Sequence, residues 1–296
     1  MKTKGFLTVV LGLCALASPA SAQIIATSIP RADTVGAAAE KRWAFHVMGS
    51  PFAKWNYGEL YLDPNDVFGT IQGTPNSDFL FAGEIVFAAG TNFTIGLGGW
   101  YNKIGTNEFD FVGFDVTGAA GFADISAVLD TDIKTYEGHV AIFYKDVGVQ
   151  GGLVRTTGRL GPNGRVTLVN DIPVNAPFTL SVGDAETTDW DVFGVYKHGF
   201  GGRDGEGRAG LAIGAGIYRK QGIAGASPLR LPDDQTVFTG FATLNINVYK
   251  GLGIDVSYWY VGPTAETRGE GIFAGQDFAN DSQSRFTVGL GISVSR

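Results

Sequence analysis

The chain has 296 residues, 44 of them glycine, with 44% hydrophobic and only 17% charged residues and a formal net charge of −7. So few charges at a mean hydropathy of +0.09 exclude a disordered chain. Past the N-terminus no apolar run reaches the roughly 18 residues a membrane helix needs. So many glycines are too costly for an all-α fold, and an all-β protein remains.

Residues 1–22 read as a secretory signal peptide, with Lys2 and Lys4 as a basic start, an apolar stretch from Gly5 to Ala17, and Ala20-Ser21-Ala22 as the small-x-small cleavage pattern. The mature chain then begins at Gln23. Cys14, the only cysteine, lies in that apolar stretch behind Leu13, where a lipid-anchor signal carries a small residue, so no lipid anchor and no disulfide are expected. Removing the signal leaves 20 basic against 29 acidic residues, a balance of −9 with no polybasic stretch. Nucleic acid is therefore not an expected partner. Three histidines without a cysteine argue against structural zinc. Residues 23–42 show no β period and are assigned to a periplasmic N-terminal segment, and residues 43–296 to the folded unit.

From Trp43 onward, segments of 9–14 residues alternate in character, the length a tilted membrane-crossing strand requires. Trp43 to Gly49 is the first and weakest. Phe79, Phe81, Gly83, Ile85, Phe87 and Ala89 share one face of the next. After a turn at residues 90–92, Phe93, Ile95, Leu97, Gly99 and Tyr101 follow. Tyr136, Gly138, Val140, Ile142 and Tyr144 lead through a tight turn near Asp146 to Val147, Val149, Gly151 and Leu153. Trp190, Val192, Gly194 and Tyr196 precede Leu211, Ile213, Ala215 and Ile217. Phe238 to Val248 leads through Lys250-Gly251 to Ile254, Val256, Tyr258 and Tyr260, and Phe286 to Val294 closes the chain. These make ten strands whose connections alternate short and long, with the long ones near 51–77, 104–131, 159–186, 221–234 and 263–283. Phe109–Val116 with Phe122–Leu129, and Val166–Val169 with Phe178–Val182, are further β-like pieces. If they cross the membrane, twelve or fourteen strands result.

Two features favour a closed antiparallel transmembrane β-barrel over a soluble sandwich. Aromatic residues gather at both ends of the apolar faces. Phe87, Phe93, Tyr144 and Tyr196 lie near the short turns, and Phe79, Tyr101, Tyr136, Trp190, Tyr260 and Phe286 near the long loops, as two lipid-interface girdles. The opposite face is small and polar: Thr94, Gly96 and Gly98; Gln150 and Gly152; Gly210, Ala212, Gly214 and Gly216; Thr239, Thr243, Asn245 and Asn247; Gly289, Gly291 and Ser293. That face suits a lumen, and closure removes the sheet edges that hydrocarbon cannot tolerate.

On this pattern, over residues 43–296, the chain resembles the small Gram-negative outer-membrane β-barrels. The resemblance implies outer-membrane lipids and the barrel-assembly machinery as partners, and long loops that offer a surface to an extracellular ligand. Members of that class often end in an aromatic residue read by the insertion machinery, whereas this chain ends at Arg296.

The expected lumen residues are Glu84, Trp100, Glu137, His139, Asp191, Asn245, Asn247, Asp255 and Trp259, with His46, Asp189 and Lys197 on the same face. Glu137 and His139 place a carboxylate and an imidazole two residues apart on one face, the material of acid–base chemistry. Lumen charges in small barrels ordinarily pair to fill the interior, and no serine stands beside that histidine in a nucleophile-like context. A hydrolase is thus subordinate to a non-enzymatic barrel. Asp63, Asn65 and Asp66, and Asp277, Asn280 and Asp281, lack the spacing of a calcium loop. No nucleotide, haem or metal cofactor is indicated. Trp100 and Trp259 would obstruct a ten-stranded lumen. The expected role is therefore structural or surface-contacting, with a narrow cation-preferring, porin-like channel as the alternative.

Overall fold

The computed structural model of the chain describes residues 43–56, 59–62, 70–73, 76–77, 79–89, 92–105, 107–115, 122–179, 185–200, 209–220, 235–249, 251–263, 267–268, 277–280 and 282–295. The expected signal peptide, residues 1–22, and the expected N-terminal segment 23–42 lie outside these residues. Ten strands form one ring: β1 (Trp43–Asn56), β2 (Phe79–Ala88), β3 (Phe93–Ile104), β4 (Phe122–Tyr144), β5 (Val147–Val169), β6 (Ala185–Phe200), β7 (Ala209–Lys220), β8 (Gln235–Tyr249), β9 (Leu252–Val261) and β10 (Gln283–Ser295). Each pairs antiparallel with the next. β10 returns to β1, from Ala44 opposite Ser295 to Asn56 opposite Ser284, and closes the barrel.

Followed through the ladders, the register advances by about 12 residues per circuit, which for ten strands tilts them by about 40° to the axis. The one break in the β1–β10 ladder falls between Gly49 and Phe52, at Pro51, which has no amide hydrogen to donate. Ser50 Oγ donates to Val288 O at 2.6 Å beside that bulge.

Alternation is close to strict around the ring. Along β8, Val237, Thr239, Phe241, Thr243 and Asn245 are buried, while Phe238, Leu244, Ile246 and Val248 are exposed. The outer wall is a belt of exposed apolar side chains, with Leu153 63%, Leu290 64% and Ile142 54% accessible. A soluble protein does not present such a continuous surface to water. Aromatic pairs bound the belt. Phe93 and Tyr144 have ring centroids 5.1 Å apart on the short-turn side, as do Tyr101 and Tyr136 on the loop side. Eight residues separate Tyr136 from Tyr144; at ~3.3 Å per residue and ~40° of tilt that is about 20 Å of height, close to the apolar band of a membrane barrel. Just past Tyr136 the surface turns charged at the exposed pair Lys134–Asp132, 2.9 Å apart. The hydrogen bond that Lys134 donates to Asp132 holds the pKa of its ammonium above the ordinary value.

The further β-like pieces do not cross. β4 and β5 are each 23 residues long and continue beyond the belt. There the same sheet extends in the order Ile172–Thr179, β5, β4, Asn107–Asp115, Thr70–Gly73, Glu59–Leu62, Asp277–Asn280 and Thr267–Arg268, with no pairing between its two ends among the described residues. The ring therefore has ten strands, neither twelve nor fourteen. Much of the connections expected at 104–131 and 159–186 is strand, exposed on its outer face at Asp124, Asp130 and Asp132 and buried on its inner face at Ile125, Ala127, Ile133 and Val166. A two-residue turn at Asn170 and Asp171, both with positive φ (46° and 61°), sends the chain back on itself. Asn170 N donates to Asp124 O at 2.7 Å and Asp124 N donates to Asn170 Oδ1 at 2.8 Å, which ties the two hairpins of this rim together.

Candidate functional site

The barrel interior is built from alternate positions of every strand, and its arrangement follows from register. One row of paired residues runs Ser293, His46, Glu84, Gly98, His139, Gly152, Asp191, Tyr218 across eight strands. Large polar groups flank glycines in this row for a steric reason. A Cβ on Gly98 would stand 2.4 Å from His139 Cε1, and one on Gly152 2.8 Å from Glu137 Oε1 and 2.9 Å from Asp191 Oδ1. Elsewhere Gly214 makes room for the Phe241 ring, Gly289 for Met48, and Gly291 for His46 and Asp255. The inward glycines are thus the holes into which neighbouring side chains fit.

Every expected lumen residue except Asn247 is buried inside the ring: Glu84, Trp100, Glu137, His139, Asp191, Asn245, Asp255 and Trp259. Asn247, near the short-turn end, is half-buried. The expected interface aromatics stand on the outer wall. Phe79, Phe87, Phe93, Tyr136, Tyr144, Tyr196 and Phe286 are exposed there, and Tyr101, Trp190 and Tyr260 are half-exposed.

Three polar clusters fill the interior. In the first, Lys197 Nζ meets Glu84 Oε1 at 3.2 Å with both side chains fully enclosed, and the ammonium lies 4.2 Å from the centre of the Phe143 ring. In the second, His139 Nδ1 contacts both Glu137 oxygens, at 3.0 and 3.1 Å. Asp191 approaches the same carboxylate from across Gly152, and Arg285 lies 5.7 Å from the Trp100 ring. Tyr218 donates to Asp189 at its edge. In the third, Ser293 Oγ lies 3.1 Å from His46 Nδ1, His46 Nε2 lies 2.9 Å from Asp255 Oδ2, and Asn245 Nδ2 donates to Asp255 Oδ1 at 2.7 Å.

Glu137 and His139 do meet, as their spacing predicts, but both side chains have no accessible surface. Their contact is part of the packed interior. The cluster around His46 was not legible as a unit. Ser293 is 247 residues from His46, and Asp255 and Asn245 lie on two further strands, so no local motif joins them. Only the β1–β10 register, which sets His46 opposite Ser293, brings them together. Arg285 was missed because a single arginine at a strand start resembles a loop charge. Among the described residues no group of three or more His, Cys, Asp or Glu is arranged to hold a metal ion.

No protein-family model matches the chain, and no curated sequence matches it either. Among solved structures, it is similar to the outer-membrane protease OmpT of Escherichia coli, at 10% identity and a TM-score of 0.43 over 86% of this chain and 97% of that one. It is also similar to the transport unit of the autotransporter AIDA-I of Escherichia coli, at 9% identity and a TM-score of 0.48 over 98% and 99%. A third is the outer-membrane protein OprG of Pseudomonas aeruginosa, at 13% identity and a TM-score of 0.32 over 86% and 98%. The closed ring of ten antiparallel strands, its apolar outer belt and its paired polar interior make the fold of this chain a transmembrane β-barrel.

Proposed function

We propose that the protein is an outer-membrane barrel with a closed lumen, and that its role lies in the envelope and in what its loop-side sheet contacts outside the cell. The observation that carries this reading is the occupancy of the interior. The largest fully buried side chains are Trp259, Arg285, Tyr218, Phe143, Phe193 and Lys197, and all six project into the ring. A ten-stranded barrel is only slightly wider than one that side chains fill outright, so six such groups leave no continuous aqueous path. The open sheet beyond the belt is what remains available to partners. Its outermost strand, Ile172–Thr179, carries Pro173 and Pro177, which blunt that edge against unspecific strand pairing. The lipid belt and the barrel-assembly machinery are the other partners this reading requires.

A second reading, a narrow cation-preferring channel, draws on the interior charge. Among the described residues five acids lie inside the ring (Glu84, Glu137, Asp189, Asp191 and Asp255) against Lys197, Arg285 and two histidines. Single-channel recording in planar bilayers separates the two. The closed barrel is expected to give no steps while keeping its heat-modifiable band on gels; stable cation-selective steps would establish the channel instead.

A further inference from the structure

We infer that Ser293, His46 and Asp255 form a nucleophilic site at the short-turn mouth of the barrel that cleaves acyl esters. Ser293 is half-exposed three residues from the chain end, where β10 meets the mouth, while His46 and Asp255 are 1% and 0% accessible behind it. The nucleophile therefore faces the opening and its base and orienting group are shielded from water. That is the layering a serine hydrolase needs.

The protonation pattern follows from the partners. Asp255 accepts from Asn245 through Oδ1, which fixes the carboxylate and turns Oδ2 toward His46 Nε2. In the tautomer that offers Asp255 Oδ2 a donor, the imidazole proton is on Nε2 and the lone pair on Nδ1. Nδ1 is the nitrogen 3.1 Å from Ser293 Oγ, placed to take the hydroxyl proton. The 2.9 Å approach of Nε2 to Oδ2 lies off the N–H axis, a looseness common where no substrate is bound. Gly291 lies between the two groups, and a Cβ there would stand 2.2 Å from Asp255 Oδ2 and 2.4 Å from His46 Cε1. Its lack of a side chain is what lets them meet.

In the reaction, Ser293 Oγ bonds to the ester carbonyl carbon as its proton passes to His46 Nδ1. The bond to the leaving oxygen then breaks as His46 returns that proton to it, which releases the alcohol and leaves an acyl-serine. Water attacks the acyl carbon by the same route, releases the carboxylic acid and restores the Ser293 hydroxyl. Ser293 N–H is committed to Gly251 O at 2.8 Å and does not stabilise the oxyanion, so the expected catalysis is the ~10²- to 10⁴-fold of general-base assistance rather than that of a complete protease site.

The test uses the full chain folded in detergent micelles, treated with a fluorophosphonate probe and, separately, with p-nitrophenyl butyrate and a dispersed short-chain phospholipid. The expected result is a probe adduct mapped to Ser293 and ester hydrolysis that falls to the micelle background in Ser293→Ala. His46→Gln should slow labelling about 100-fold or more. Asn245→Leu, a positioning change, should lower kcat and leave KM unmoved. Cleavage of the butyrate ester assigns a soluble substrate, and cleavage of the phospholipid alone a membrane one. No Ser293 adduct on protein that keeps its heat-modifiable band, labelling as fast in His46→Gln as in the parent, or hydrolysis of neither ester overturns the inference. If Ser293→Ala does not fold, His46→Gln decides, because its serine hydroxyl is still present to be labelled.

Discussion

Replacing Lys197 by Met tests whether the interior holds itself together by charge pairing. Lys197 Nζ stands 3.2 Å from Glu84 Oε1, and neither side chain has appreciable contact with water. At that separation, with an effective dielectric of ~20, the attraction is about 5 kcal/mol. Desolvation of both ions cancels much of it in the intact pair, but the cancellation disappears when one partner is removed. Lys197→Met leaves Glu84 buried with its charge uncompensated, at a cost of about 3–5 kcal/mol. It also removes the ammonium from the Phe143 ring, 4.2 Å away, for roughly a further 1 kcal/mol. Glu84→Gln should cost less, about 1–3 kcal/mol, because the amide oxygen still accepts and the ring still faces the ammonium. The double variant Lys197→Met with Glu84→Gln should lose well under the sum, with a coupling of about 2 kcal/mol or more. Urea unfolding in lipid vesicles, followed by tryptophan fluorescence, measures all four proteins. A Lys197→Met barrel within about 0.5 kcal/mol of the parent, or strictly additive losses, would show that the pair fills space without holding the fold.

The glycines give a sharper contrast. Gly98→Ala puts a methyl 2.4 Å from His139 and 2.8 Å from the carbonyl of Gly83 and should cost about 1–3 kcal/mol, whereas Gly138→Ala meets nothing within 4 Å and should stay near the parent in the same unfolding assay. On the outer wall, Val140→Arg should cost about 2–4 kcal/mol of folding into bilayers, while Ile172→Arg, on the rim sheet and 66% exposed, should shift it by no more than about 0.5. In the rim, Asn170→Ala removes both the residue suited to positive φ and the side-chain bond to Asp124; a loss of about 1–2 kcal/mol, read as faster amide exchange around 163–179 with an unchanged barrel, is expected.

The ring was legible in the sequence because membrane and lumen impose opposite chemistry on alternate residues. Phe238 and Phe241 illustrate how far that goes and where it stops. The first is 57% exposed and the second 5%, although both are phenylalanine. Alternation assigns Phe238 outward, but only the neighbouring Gly214, whose missing side chain houses the Phe241 ring, explains an inward aromatic. A hole on one strand and its filler on the next are joined by register, which no single strand records. The same limit left the rim unassigned. Asp124, Asp130 and Asp132 are exposed on the face opposite the buried Ile125, Ala127 and Ile133, so the upper part of β4 keeps a strand's alternation, and only the charged outer face separates it from a membrane-crossing strand. It also hid Ser293 beside His46, since each sits in an ordinary alternating strand and neither carries a local motif.

Register also sets how the proposed closed lumen and the proposed reactive mouth would share one short barrel. Rows of paired residues run perpendicular to the strands, and with a tilt of about 40° they climb the barrel as they circle it. Along the row that begins at Ser293, the groups pass from the half-open mouth to His46 and Glu84, then to His139 and Asp191 deep in the wall. Each large group needs a small neighbour, so the inward glycines are spaced by the demands of the row rather than of the strand. The consequence is a division of labour by height. Substitutions near His139 and Asp191 alter the packing that closes the barrel and leave the Ser293–His46 contact in place. His46 is where the two meet, because it faces Ser293 on one side and Glu84 on the other. A change there that keeps the ring volume, such as His46→Gln, should therefore abolish serine reactivity while the barrel stays folded and closed. A protein that lost closure and reactivity together would mean that the mouth and the filled interior are a single structural unit.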